Sequence, residues 1–220
     1  MKVNHGTVLL AAAAIVGCGD ASVTPHPDPG PSIPPRVGST FTYREFSIDG
    51  NGREIAGTSS TITATVVSSD TTYGGASGLT LIREGAEQHY VHYAPSGDVI
   101  VRSVADELVG DGIQTWPFGS RSSVTDIIAD TLVSSADSIR TFVSASYVET
   151  AVTTTPAGTF DSHRIRSFVI ARSFPDTSLV DNRIYIDRWY APVLGVEVKH
   201  TVDNAGSTRR IRELVSYSLK

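Results

Sequence analysis

From Val37 to the C terminus, apolar residues recur at alternate positions in short runs rich in Val, Ile, Thr, Tyr and Phe, and Gly, Asn, Asp and Pro separate the runs. That period places successive side chains on opposite faces of an extended chain, so it predicts β-strands throughout. Strands are predicted at 40–48, 54–68, 78–84, 88–94 and 98–104, then at 139–154, 159–173, 182–190, 193–202 and 208–219. Asp49-Gly50-Asn51-Gly52 and Pro95-Ser96-Gly97 carry residues that tolerate positive φ or pre-set a turn, so each predicts a hairpin. In the last run Ile211, Val215, Tyr217 and Leu219 share one face and Arg210, Arg212, Ser216 and Ser218 the other, while Glu213 and Leu214 each fall on the wrong side. The stretch 105–138 has no clear period. Within it, 124–134 reads as a strand or as a short helix, with Ile127, Ile128 and Leu132 in a stripe behind a cap at Ser123. No internal repeat is present. The expected class is all-β with room for one short helix, as an antiparallel curved sheet, half-barrel or sandwich.

The N-terminal segment follows another logic. Lys2 precedes an uncharged apolar run, Val8 to Val16, which has the length and flanks of a signal-peptide core. It is far shorter than the roughly 20 residues that span a bilayer as a helix. The run ends in Ile15-Val16-Gly17-Cys18, which resembles the lipobox of bacterial lipoproteins at every position. The resemblance implies a diacylglyceryl group on the Cys18 thiol and cleavage between Gly17 and Cys18, after which acyl chains anchor the protein to a membrane. Gly19 follows the cysteine and Asp20 comes one place later, which favours the outer membrane over the inner by the sorting rule of such lipoproteins.

Residues 19–36 hold six of the eleven prolines of the chain and are expected to form an extended polyproline II tether. The expected organisation is therefore a signal peptide at 1–17, an acylated cysteine and Pro-rich tether at 18–36, and a single β domain at 37–220.

Cys18 is the only cysteine, so no intramolecular disulfide supports that domain. The formal charge is -5; without Lys2 it becomes -6, which argues against nucleic acid as a partner. Arg209, Arg210 and Arg212 beside Glu213 are expected on the solvated side of a strand.

Catalytic signatures are weak. Gly75-Ala76-Ser77-Gly78 lacks the G-x-S-x-G spacing of a nucleophile elbow and reads as a turn. His89 and His92 are three apart, on opposite faces of a strand, and His163 and His200 are isolated, so no metal site is expected. Asp106 with Glu107 and Asp126 with Asp130 read as solvated charges, and no cofactor fingerprint occurs. Trp116, Phe118, Trp189 and Tyr190 are the largest apolar anchors. Core packing is their ordinary role; lining a concave ligand pocket is the functional alternative.

Thr155-Pro156-Ala157-Gly158-Thr159-Phe160 and Trp189-Tyr190-Ala191-Pro192-Val193-Leu194-Gly195 resemble segments of exported antiparallel half-barrel proteins, similar in outline to periplasmic lipoprotein carriers, although Val193 stands where that family usually has Gly. The resemblance implies no catalytic residue and makes an apolar ligand, such as an acyl chain, the first candidate for the concave face. The leading expectation is thus a non-enzymatic envelope domain that binds an apolar ligand or an envelope protein. The alternatives are an envelope hydrolase with a site assembled from distant strands and a structural or adhesive surface module.

Overall fold

The computed structural model of the 220-residue chain describes residues 28–104, 112–132, 138–174, 184–204 and 208–220. Within these it is all-β, with no helix. Twelve strands run β1 Thr40–Ile48, β2 Ser60–Tyr73, β3 Ala76–Glu84, β4 Glu87–Tyr93, β5 Val99–Val104, β6 Gly112–Trp116, β7 Ser123–Leu132, β8 Ser138–Thr155, β9 Gly158–Phe174, β10 Ile184–Ala191, β11 Val196–Asn204 and β12 Arg209–Ser218. The ten predicted strands are all present, β1 with its predicted ends and the others with shifted ones, and β6 and β7 occupy the stretch whose period was unreadable. The helix alternative for 124–134 is wrong. A bulge at Ile128, between the Ile127↔Phe142 and Ala129↔Thr141 pairs, interrupts the two-residue period there and produces the helix-like stripe.

All twelve strands form one antiparallel sheet in the order β6-β5-β4-β3-β2-β1-β12-β11-β10-β9-β8-β7. The chain starts in the middle, walks to one edge, crosses to the other edge and walks back. A flat sheet of this size would be about 53 Å wide at ~4.8 Å per strand. The crossover from β6 to β7 uses only residues 117–122, a reach of about 25 Å even when extended. The sheet therefore curls until its edges meet, giving a nearly closed barrel. β6 lies against β7 and β8 along the seam, and the Tyr147 N–H donates to the Ser122 carbonyl at 3.1 Å, extending the β7–β8 ladder to the end of the crossover.

The crossover is pinned at one end of the barrel. Asp98 Oδ1 accepts hydrogen bonds from the Gly119 and Ser120 amides, each at 2.9 Å. A Cβ on Gly119 would sit 1.7 Å from the Ser96 carbonyl oxygen, so only glycine allows this approach. The two turns expected from Asp49–Gly52 and Pro95–Gly97 are in place. Gly52 donates to Asp49, Gly97 donates to Ala94, and both glycines have positive φ.

The Pro-rich segment does more than extend. Residues 28–36 lie across the same end of the barrel as a strap that floors it. Ile33 donates its amide to the Pro192 carbonyl at 2.9 Å, Pro35 is buried, and Asp28 pairs with Arg121. Gly195, at φ +68°, lies under the strap so closely that a Cβ would be 2.0 Å from the Ile33 oxygen. The core packs inside the barrel with Phe41, Val66, Ile165, Tyr190, Val198 and Leu214 above this floor and Phe118 in it, and a second cluster of Val143, Val169, Ile186 and Val202 extends it along β8 to β11.

Candidate functional site

Eight strands make a barrel that side chains just fill, and more strands leave a lumen. Here the lumen holds a cavity of about 210 Å³. Its deep part, next to the strapped floor, is walled by Tyr43, Tyr93, Trp116, Tyr190, Val91 and Val196. Toward the other end the wall becomes charged, with Glu45, Glu84, Glu87, His89, Arg188, Glu197, His200, Arg210 and Arg212. Glu87 and His89, at the outer end, are 30% and 19% exposed, so the cavity opens there.

Two hydroxyls brace the lumen. Tyr43 donates to the Glu197 carbonyl oxygen at 2.9 Å, and Tyr93 reaches across from β4 to donate to the Gly195 carbonyl at 2.8 Å. Burial pushes both phenols above their ordinary range, as it does Tyr190, whose neighbour Tyr93 adds to the effect.

The charged layer is organised in two groups. Arg212 on β12 spans to β3, its two terminal nitrogens donating to the two carboxylate oxygens of Glu84, each at 2.5 Å. It also reaches Glu45 at 3.3 Å and lies 3.9 Å over the Tyr43 ring. Burial disfavours the charged guanidinium, but hydrogen bonds to Glu84 and then its charge outweigh this and raise the Arg212 pKa. In the second group Arg188 donates to Glu197 Oε2 at 2.9 Å, and His200 donates from Nδ1 to Glu197 Oε1 at 2.6 Å. Burial alone would push the Glu197 carboxyl up; the charges of His200 and Arg188, and the bond from His200, hold it well below the usual carboxylate range.

Arg210 and Arg212 were expected on a solvated face, and that expectation is wrong: both line the lumen. The wall of a wide barrel carries charge, so polarity did not report which face was outside. The same strand explains its two misfits. Thr42 pairs with Ser216 and Tyr43 with Leu214, which leaves Val215 as a bulge. Leu214 therefore joins Arg210 and Arg212 on the inner face, and Glu213 joins Ile211 on the outer one.

A bulge also assembles the Glu197 group. Residues three apart on a regular strand face opposite ways, but Trp189 pairs with Lys199 and Tyr190 with Glu197, leaving Val198 extra. Glu197 and His200 thereby face the same lumen. This pair, with Arg188, Gln114 and Arg212, is what sequence reasoning missed. Spacing places Glu197 and His200 apart, and no local signal marks the bulge.

Of the four candidate anchors, Trp116 and Tyr190 line the cavity. Phe118 is buried behind them in the floor, its ring stacked 4.7 Å from Tyr190 and 5.4 Å from His163. Trp189 lies on the outer face between Arg164 and Lys199, with the cations 5.1 and 5.7 Å from its ring. His163 faces the strap, donating from Nε2 to the Gly30 carbonyl at 3.3 Å, and burial lowers its pKa. His89 lines the lumen while His92, on the same strand, does not. Ser77 lies in β3, just after the Gly74-Gly75 turn. Among the described residues, no group of three His, Cys, Asp or Glu is arranged to hold a metal ion. Cys18 and Gly17, Asp106 and Glu107, and the side chains of Asp126 and Asp130 lie outside the described residues.

No protein-family model matches this chain, and no curated protein matches it. Two solved structures resemble it in chain course. One, described as a candidate lipoprotein from Parabacteroides distasonis ATCC 8503, is 16% identical, with 84% of this chain and 97% of that one covered at a TM-score of 0.45. The other, described as a candidate exported protein with a YmcC-like fold from Bacteroides fragilis NCTC 9343, is 12% identical, with 85% and 98% covered at a TM-score of 0.41. At these scores neither bears on what this barrel binds or where it resides.

Proposed function

We propose that this chain is a lipid-anchored protein of the bacterial envelope, outer rather than inner membrane, whose barrel takes a small ligand with an apolar body into its lumen. Acyl chains on Cys18 hold the strapped floor toward the bilayer. The tether left between Cys18 and Asp28 reaches about 33 Å when extended, and the mouth faces away from the membrane.

The observation that carries the binding reading is the cavity itself: aromatic-walled, floored at one end and open at the other, with a volume of about 210 Å³. That is smaller than the roughly 300–1,000 Å³ of pockets for drug-sized ligands and nearer the ~150 Å³ void that accepts a benzene ring. A single ring with short substituents suits it, and long acyl chains do not. The Glu197–His200 pair has the form of an oriented acid/base group, but none of the described residues lining the cavity is Ser, Thr or Cys. The lining therefore favours binding over nucleophilic hydrolysis. The anchor half rests on the lipobox and the proline-rich tether.

Expressed in a bacterial host, the parent is expected in the membrane fraction and Cys18→Ala in the soluble one; a variant that stays on membranes overturns the anchor. A small aromatic compound present at about one hundred times its Kd should raise the melting temperature by about 5–10 °C. If no such compound at millimolar concentration moves it, the lumen is not a binding site.

A further inference from the structure

Resting on the reading of the lumen as a binding site, we infer that its ligand carries an uncharged hydrogen-bonding head, a hydroxyl or a primary amide, on the apolar body. Six buried polar atoms of cavity-lining residues have no hydrogen-bond partner among the described residues: Gln114 Oε1, Trp116 Nε1, His200 Nε2, the Tyr190 hydroxyl, Arg188 Nε and Arg212 Nε. The two guanidiniums are already paired through their terminal nitrogens, and the head is read from Gln114, Trp116 and His200. Gln114 is 3% exposed and His200 4%, so bulk water does not serve them. Buried polar groups are otherwise almost always paired, so each such orphan calls for an explanation.

Arg188 links the three. Gln114 and Trp116 are two apart on β6 and face inward together. The Arg188 guanidinium lies 5.4 Å over the Trp116 ring, and Arg188 pairs with His200 across the β10–β11 ladder. Their chemistry is mixed. The indole N–H only donates and the Gln114 oxygen only accepts. His200, whose Nδ1 donates to Glu197, presents Nε2 as an acceptor when its ring is neutral and as a donor when it is charged. A head that both donates and accepts, as a hydroxyl or amide does, complements such a set.

Charge argues the same way. The lining carries four carboxylates, three guanidiniums and two imidazoles, which net to between -1 and +1 depending on the imidazoles. Glu45, Glu84 and Glu197 are already engaged by Arg212 and Arg188. An ionic head would lose its water without gaining a counter-charge of its own.

The test is ligand-observed fluorine NMR on the full-length protein in nanodiscs, with empty nanodiscs as the blank. The probes are 4-fluorophenol, 4-fluorobenzamide, 4-fluorobenzoate, 4-fluorobenzylamine and fluorobenzene. The phenol or the amide is expected to bind at least tenfold more tightly than the other three. Gln114→Leu and Trp116→Phe, each checked for folding by its circular-dichroism melt, should bring that advantage down toward the fluorobenzene level. Tightest binding of benzoate or benzylamine, equal binding of all five, or an advantage that survives in both folded variants overturns the neutral-head assignment and leaves the binding reading standing. Binding of none of the five removes the binding reading itself.

Discussion

Replacing Arg188 by Met strips Glu197 of its guanidinium partner while keeping a side chain of similar length over Trp116. The pair is largely buried in the lumen wall, with side-chain exposures of 7% and 13%, so bulk water compensates little when one partner leaves. Breaking a buried pair by removing one member costs about 3–5 kcal/mol, chiefly because the other charge is left uncompensated. Against a total stability of about 5–15 kcal/mol, that is a large fraction. For a domain of this size each kcal/mol moves the melting temperature by about 2–4 °C, so Arg188→Met should melt about 6–20 °C lower than the parent. Glu197→Leu should fall comparably, because it strands Arg188 and removes the acceptor of His200 Nδ1. The double variant removes both charges and should melt higher than at least one of the singles, with a coupling energy of about 1–3 kcal/mol in the cycle. Thermal unfolding of the four proteins, followed by far-ultraviolet circular dichroism at neutral pH, reads all of this. Single variants within 2 °C of the parent, or a double variant whose loss equals the sum of the two, would refute the idea that stranded charge in a desolvated lumen sets the cost.

Two further outcomes follow from the same geometry. Gly195→Ala places a methyl against the Ile33 oxygen at a positive-φ position, so the strap should lift: limited proteolysis within 28–36 should speed up by at least tenfold, and unchanged cleavage would show that the strap is not held there. The Glu197 and Asp187 carboxyls both sit below the ordinary range in the folded protein; for Asp187, burial pushes up and the bonds and charges of Arg166 and Arg164 outweigh it. A depressed carboxyl stabilises the fold above the unfolded pKa of about 4, and that stability drains as pH falls toward the folded value. The melting temperature should therefore drop on going from pH 5 to pH 2, less steeply in Glu197→Gln, and a parent curve that is flat over this window would contradict the assignment.

How much of this was legible beforehand depended on range. The hairpin at Asp49–Gly52 was readable because a turn is decided by four neighbouring residues, and β1 matched its predicted ends because nothing interrupts its two-residue period. β7 was not, because its bulge mixes two phases in one short run. Trp116 and Tyr190 could be nominated for a pocket wall from size alone, yet equally large Phe118 and Trp189 sit in the floor and on the outside, and only the ladder register separates them. Glu197 and His200 had no legible link at all.

By itself, then, the sequence determined what is local: strands rather than helices, and where most turns fall. Tertiary structure alone decided which face of each strand looks inward. A twelve-stranded sheet closed by a six-residue crossover encloses a lumen wide enough for charge, so Arg210 and Arg212 turn inward where a filled core would have excluded them. Bulges at Val198 and Val215 set the local phase through pairing with strands distant in sequence, and the ends of the site come from β3, β6, β10, β11 and β12. The strap is the same case, since an extended proline-rich segment has no internal hydrogen bonds to reveal its position, and its place on the floor is fixed by Pro192 and Gly195, some 160 residues along the chain.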